Sequence, residues 1–363
     1  MPGTCGIFLR MSDSSLIGKR KLDHIEICAE EKLERITYSA RTTLLECIEL
    51  LPLYFPTRSI DKIETKIQFL STTINAPIMV SAMTGGIDIA RKMNRILASA
   101  CQQLGIPLAF GSGRIMIEDP STAPSFKVRD LAPGIPIIAN VGIAQAEVLP
   151  VEKLKWLVEE MEADALAIHI NFAMEAFQPE GNRQPATVVE TILRIKSEVN
   201  FPIIIKEVGA GFSPQQLELL KQCGADWIDV AGAGGTNWIK IETLRSDPRT
   251  GMTVGPFNEW GFPTAASVMW AVKAGHEKII ASGGITNGLE AAKAMAIGAR
   301  ICGIALPILR KLLAEGEDAM LDYLKATIDQ LKIAAYLCGI SSVKQFSNVP
   351  FVLSGKLKDW ISP

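Results

Sequence analysis

His169-Ile-Asn171, followed by Glu175 and by Gln178-Pro-Glu-Gly-Asn182, gathers an imidazole, a carboxamide and carboxylates just past an apolar run. Residues two apart at a strand end point the same way, so His169 and Asn171 are expected to face one ligand rather than the core. Glu175 and Glu180 are of the type that ligates a hard cation such as Mg²⁺, which takes a carboxylate together with phosphate oxygens of a substrate. Taken singly, either one also reads as a solvated loop carboxylate. A second chemical segment, Ala231-Gly-Ala-Gly-Gly-Thr-Asn-Trp238, also follows an apolar run, and Ser282-Gly-Gly284 and Gly303-Ile-Ala-Leu306 follow two more. Glycines placed before helices let backbone N–H groups approach an anion, so a phosphate-bearing ligand is expected.

These residues need elements to aim them. Eight β-prone runs recur: 77–81, 106–110, 135–139, 165–169, 201–206, 227–230, 278–281 and 301–304. Near-continuous apolar runs of this length suit parallel strands buried on both faces. Pro107, Pro136 and Pro202 fall at strand starts, where a missing N–H does little harm. Between the runs, residues 94–104, 151–161, 187–199, 214–223, 264–274 and 289–297 carry helical patterning. The fold class is therefore α/β, a (β/α)8 TIM barrel with an N-terminal extension and C-terminal helices; a doubly wound sheet is the alternative. Residues 1–75 read as an extension packed on the barrel. Residues 76–363 read as the barrel with a helical tail, in a single domain, helical to about Leu337 and then short and polar.

In such barrels the C-terminal strand ends form the active site. Ser81, Thr84, Ser112, Asn140 and Thr236 offer small hydrogen-bonding groups there, suited to a flat heteroaromatic ring. The paired glycine loops after the last two strands form the usual phosphate cradle of this fold, tight βα turns being the alternative for either loop alone. Lys206 ends a buried run and must be solvated, paired or functional. A cation there would stabilise the anionic edge of a reduced flavin; a salt bridge to a nearby carboxylate is the other option. Of three histidines, His276 lies in a polar loop at the far end of the barrel and reads as a surface residue.

Bulk properties exclude other classes. Hydrophobic residues make up 48%, charged residues 21%, and the net charge is −2. No global basic field suggests nucleic acid or an anionic membrane, and no apolar run of about 18 residues suggests a membrane span. Residues 1–20 lack the pattern of a secretory signal. The seven cysteines (Cys5, Cys28, Cys47, Cys101, Cys223, Cys302 and Cys338) form no CxxC pair. They fit reduced, packed thiols in a cytoplasmic protein.

At these residues the chain resembles the type 2, flavin-dependent isopentenyl-diphosphate isomerases over nearly its whole length. The likeness is carried by Arg20-Lys-Leu-Asp-His24, Met83-Thr-Gly-Gly86, Gly111-Ser112 with Arg114, and His169-Ile-Asn171 with Glu175 and Gln178-Pro-Glu-Gly181. It continues through Gly234-Gly-Thr-Asn-Trp238, Pro263-Thr-Ala-Ala-Ser267, Ser282-Gly-Gly284 and Gly303-Ile-Ala-Leu-Pro307. The resemblance implies FMN, NADPH to reduce it, Mg²⁺, and interconversion of isopentenyl and dimethylallyl diphosphates in isoprenoid biosynthesis. It also implies a homo-oligomer, tetrameric or octameric. By resemblance, Ser81, Ala82, Met83, Thr84, Ser112, Asn140, Lys206, Thr236, Gly283, Gly284, Ala305 and Leu306 match FMN-contacting positions. Arg20, Lys21, His24, Ser112, Arg114, His169 and Asn171 match substrate-side positions, and Glu175 matches the metal-binding carboxylate. His169, Asn171, Arg114 and the position of Met174 are the implied catalytic set.

The chain departs from the family pattern at four positions. Gly113 and Met174 stand where glutamine is usual; methionine cannot donate a hydrogen bond and accepts only weakly. Ala231 and Thr286 stand where serine and arginine are expected on the flavin-phosphate side. A flavin- and prenyl-diphosphate-binding paralogue with altered or no isomerase activity is thus an alternative. Hydroxy-acid oxidases are disfavoured because no histidine follows His276, and inosine-monophosphate-type dehydrogenases because residues 232–238 hold no cysteine.

Overall fold

The computed structural model describes residues 16–178, 181, 183–184, 187–246 and 253–362. Cys5, Pro179, Glu180 and Asn182 lie outside the described residues. Eight parallel strands close into a barrel in chain order: β1 (Ile78–Val80), β2 (Leu108–Ala109), β3 (Ile137–Gly142), β4 (Ala165–His169), β5 (Ile203–Lys206), β6 (Trp227–Asp229), β7 (Ile279–Ser282) and β8 (Ile301–Ile304). Each coincides with one of the apolar runs. β3 runs on through Gly142, so Asn140 lies within the strand rather than after it.

Strand register matters most for the site. Gly142 pairs with His169, His169 with Lys206, and Lys206 with Asp229. Four adjacent strands therefore bring an imidazole, an ammonium and a carboxylate to one level at the mouth of the barrel.

Helices surround the strands: α1 (Leu16–Glu30), α2 (Asp88–Leu104), α3 (Arg114–Glu118), α4 (Val151–Glu160), α5 (Phe172–Phe177), α6 (Val188–Glu198), α7 (Pro214–Gln222), α8 (Trp238–Arg245), α9 (Thr264–Lys273), α10 (Gly288–Ala296), α11 (Leu306–Glu315) and α12 (Glu317–Leu337). α7 starts in a capping box between Ser213 and Gln216, with proline in its first turn. α2 begins six residues before the patterned stretch, because Ala90 and Met93 extend its buried stripe beyond the charged Arg91 and Lys92.

Segments outside the strand count close the other end. A hairpin of Ile67–Phe69 and Thr72–Ile74 places fully buried Phe69 edge-on against Trp227 at the start of β6, 4.8 Å between ring centroids. The tail after Leu337 is more structured than its short polar reading. Phe351–Leu353 pairs antiparallel with Ile48–Leu50, Val343, Phe346 and Leu357 are buried, and a last helix, α13, spans Leu357–Ile361. These pieces are too short to show periodicity, and a distant strand supplies their partner.

His276 also differs from expectation. It is buried, and its Nε2 lies 2.9 Å from the Leu217 carbonyl oxygen. The packing of α7 against α9 covers the polar loop that holds it, and burial pushes its pKa down. The six described cysteines are all buried and unpaired, and no described helix is long and apolar enough to cross a membrane.

Candidate active site

A cavity of about 560 Å³ opens at the C-terminal ends of the strands, and every described residue given a site role from the sequence lines it; Glu180 lies outside the described residues. Its floor is the level set by the strand register. His169 Nδ1 lies 2.7 Å from Asn140 Oδ1. An amide oxygen only accepts, so Nδ1 carries the hydrogen and Nε2 keeps its lone pair. Burial first, then the charges of Lys206 and Arg20, lower the His169 pKa to about 3. A base this weak stays neutral at ordinary pH, and its contribution is an oriented acceptor.

Lys206 Nζ donates to the Glu207 carbonyl at 2.5 Å and lies 3.8 Å from Asp229 Oδ2. The paired option for this lysine is thus present, yet the side chain still borders the cavity. Asp229 accepts from Ser282 Oγ at 2.6 Å and from the Ala231 N–H at 3.2 Å, and burial raises its pKa. Next to it, Glu207 Oε2 accepts from three successive backbone N–H groups, of Val208, Gly209 and Ala210, at 2.6, 2.7 and 2.5 Å. Burial still outweighs those bonds and pushes the Glu207 pKa up to about 7.

The wall formed by β6, β7 and β8 is largely backbone. Gly283 has φ +95°, and a Cβ there would stand 2.0 Å from the Gly232 carbonyl oxygen. Such a contact is impossible without moving main chain, so the glycine is required by close approach. α10 and α11 both start at this wall.

The opposite wall is made of side chains on helices. α1 crosses the mouth and contributes Arg20, Lys21 and His24. Lys21 Nζ donates to the carbonyls of Gly85 and Ser112, the latter at 3.1 Å. His24 Nε2 lies 2.8 Å from Glu242 Oε1, and Arg245 Nη1 lies 2.5 Å from Glu242 Oε2. Burial lowers the His24 pKa. Arg245 also reaches Asp23 at 3.4 Å, and Arg310 on α11 donates to the carbonyls of Cys28, Ala29 and Glu31 at the C-terminus of α1. The helix that carries Arg20, Lys21 and His24 is therefore fastened along its middle and at its C-terminus. Arg114, on α3, is paired with Glu118 at 2.6 Å. At the N-cap of α5, Asn171 Nδ2 donates to Glu175 Oε1 at 2.9 Å.

Both glutamine departures have a structural setting. A Cβ at Gly113 would lie 2.7 Å from Leu157 Cδ1, so a leucine of α4 occupies the space beside that position. Met174 faces the cavity. Ala231 sits at φ +35°, in the left-handed region uncommon for a side-chain-bearing residue. Thr286 donates its hydroxyl to Glu290 Oε2 at 3.0 Å.

The cavity fits a flat, polar cofactor with a phosphate. Ser81 Oγ and Thr84 Oγ1 are buried there without hydrogen-bond partners among the described residues, and the glycine cradle leaves a volume that side chains would fill. For a metal, no group of three or more His, Cys, Asp or Glu side chains converges among the described residues. Among the described residues, Glu175 suits a cation that arrives with its own phosphate and water oxygens.

Sequence reasoning missed Asp229, Glu207, Gln145 and Glu242. Asp229 and Glu242 had a usable signal, since each is a carboxylate set among apolar residues, the criterion that singled out Lys206. Gln145, beside the cavity, carried none.

Residues 129–350, more than half of the chain, match the family model for FMN-dependent dehydrogenases. Among solved structures, mandelate oxidase with (S)-2-phenylpropionate superposes with a TM-score of 0.65 at 16% identity, covering 92% of this chain and 94% of its own. That likeness is one of fold alone. The class is thus a (β/α)8 barrel of the FMN-dependent dehydrogenase family. The isopentenyl-diphosphate delta-isomerase of Metallosphaera sedula is 38% identical over 94% of both chains, and that of Aeropyrum pernix 40% identical over 94% of this chain and 91% of its own. The chain belongs to the isopentenyl-diphosphate delta-isomerase family.

Proposed function

We propose that this protein isomerises isopentenyl diphosphate to dimethylallyl diphosphate on reduced FMN, with Mg²⁺ accompanying the diphosphate, as a step of isoprenoid biosynthesis. The proposal extends to NADPH as the flavin reductant, and to a cytoplasmic homo-oligomer, tetrameric or octameric. Each copy is a single domain in which residues 16–75 of the N-terminal extension pack on the barrel. The observation that carries it is a cavity bordered by a glycine cradle, two buried hydroxyls without partners among the described residues, a cation at the floor and the Glu175 carboxylate on the opposite wall.

Ser81, Ala82, Met83, Thr84, Ser112, Asn140, Lys206 and Thr236 would hold the flavin ring, and Gly283, Gly284, Ala305 and Leu306 its phosphate end. When bound, the reduced flavin supplies the group that exchanges protons with the allylic carbons. The chain's own residues position and neutralise. Lys206 holds positive charge at the floor, and Asp229 keeps it from swinging away. His169, neutral and pinned by Asn140, offers Nε2 as an acceptor. Arg20, Lys21 and Arg114 supply charge for the diphosphate, Glu175 holds the cation, and Asn171 fixes Glu175. α1 borders the mouth with Arg20, Lys21 and His24.

Met174 favours one second reading, a paralogue that binds both ligands without turning over. An anaerobic incubation with FMN, NADPH, Mg²⁺ and isopentenyl diphosphate in D₂O, read by NMR, separates the two. Deuterated dimethylallyl diphosphate is the expected product. Bound flavin with neither product nor exchange would sink the isomerase and favour the paralogue.

A further inference from the structure

Among the described residues, four buried side-chain polar atoms lack a hydrogen-bond partner, and three belong to residues lining the cavity: Ser81 Oγ, Thr84 Oγ1 and Gln178 Nε2. The two hydroxyls are assigned to the flavin above, whereas the amide has no role there. Gln178 is only 1% exposed. It follows α5, its N–H donating to the Met174 carbonyl at 3.0 Å, so the helical path continues to it. Asn171, Met174, Glu175 and Gln178 therefore share the i, i+3, i+4, i+7 spacing of one helical face, and all four border the cavity.

A buried N–H without an acceptor is a standing loss to the fold, and a partner supplied by a ligand removes that loss. The orphaned atom is a donor, so the missing partner is an acceptor. Glu175, three residues earlier on the same face, is the carboxylate assigned to the cation. The oxygens of the diphosphate it accompanies are the acceptors at this wall. We propose that Gln178 is a substrate-binding residue whose Nε2 donates to a diphosphate oxygen of the prenyl diphosphate beside the cation at Glu175. This rests on the function proposed above and adds a contact to it on the side where Met174 contributes none.

The test uses the FMN-loaded protein and two variants, Gln178→Leu and Gln178→Glu. Without substrate, Gln178→Leu should melt at or above the parent temperature, because it removes an unpaired polar group. Isopentenyl diphosphate with Mg²⁺ should raise its melting temperature less than the parent's. Its KM should rise about 10- to 100-fold, the range for a lost hydrogen bond to a charged group, with kcat nearly kept. Gln178→Glu should bind more weakly still, since it sets a negative charge against the diphosphate. A leucine variant that fails to fold, melts lower without ligand, or keeps the parent KM would overturn the assignment. Should the parent not turn over isopentenyl diphosphate, the isomerase reading falls, and inorganic diphosphate with Mg²⁺ still decides on Gln178. A melting shift seen in the parent and lost in the leucine variant supports the contact. Equal shifts, or none in either protein, refute it.

Discussion

The two walls of the cavity are built in different ways. The β6–β8 wall is main chain brought so close that Gly232 and Gly283 leave no space for a Cβ. The wall formed by α1, α3 and α5 is long polar side chains on helices, fastened by contacts such as the His24–Glu242 hydrogen bond and the Glu242–Arg245 ion pair. A backbone wall presents its N–H groups whatever the side chains nearby, so it suits a resident group. A side-chain wall alters its chemistry with each substitution, and both missing glutamines, at Gly113 and Met174, fall on that side. Ala231 and Thr286 fall on the backbone wall, where the main chain still does the work.

The contrast breaks most sharply at Gly283. Gly283→Ala should lose flavin binding and destabilise the fold by about 4 kcal/mol, because the new methyl meets a carbonyl and φ is positive. Flavin content after purification and urea unfolding measure this, and a stable, flavin-loaded variant would mean the wall is not rigid. On the other side, Met174→Gln should leave stability unchanged and raise kcat about 100-fold, the low end of what a positioned proton-transfer group contributes. An unchanged rate would show that the amide at this position is dispensable here.

The smallest effect concerns pH. His169 has a folded pKa of about 3 against 6.5 unfolded, so the folded state holds fewer protons between those values. Its contribution to stability is full above pH 6.5 and is lost as the pH falls toward 3. Glu207 works the other way: with a folded pKa of about 7 against 4.5, its contribution is full below 4.5 and is lost as the pH rises through 7. The two oppose each other between pH 4.5 and 6.5. Melting temperatures of Glu207→Gln across that window should rise with pH more steeply than the parent's. Parallel curves would show that the floor does not balance these two groups.

Much of this architecture is legible residue by residue. The eight runs mark the strands because a strand buried on both faces must be apolar throughout. The strand-end rule then collects Ser81, Asn140, His169, Lys206 and Gly283 at one mouth without any contact being known. Less local features escape. His276 looks solvent-exposed among its polar neighbours, yet the Leu217 carbonyl lies against its ring. The tail reads only as short and polar until Ile48–Leu50 offers it an edge. Gly113 looks like a bare deletion of function, whereas Leu157 fills the space beside it.

From periodicity and the strand-end rule follow a (β/α)8 barrel, ahead of a doubly wound sheet, and the groups at its strand ends, because these depend on short-range patterning; Arg20, Lys21 and His24 at the mouth are implied by the family resemblance. Which of those groups touch could not be read from the chain. His24 meets Glu242, Lys206 lies beside Asp229, and Gln178 keeps a donor in reserve. Such contacts are set by barrel register and helix docking, which bring together residues far apart in the sequence, and no local pattern encodes that distance.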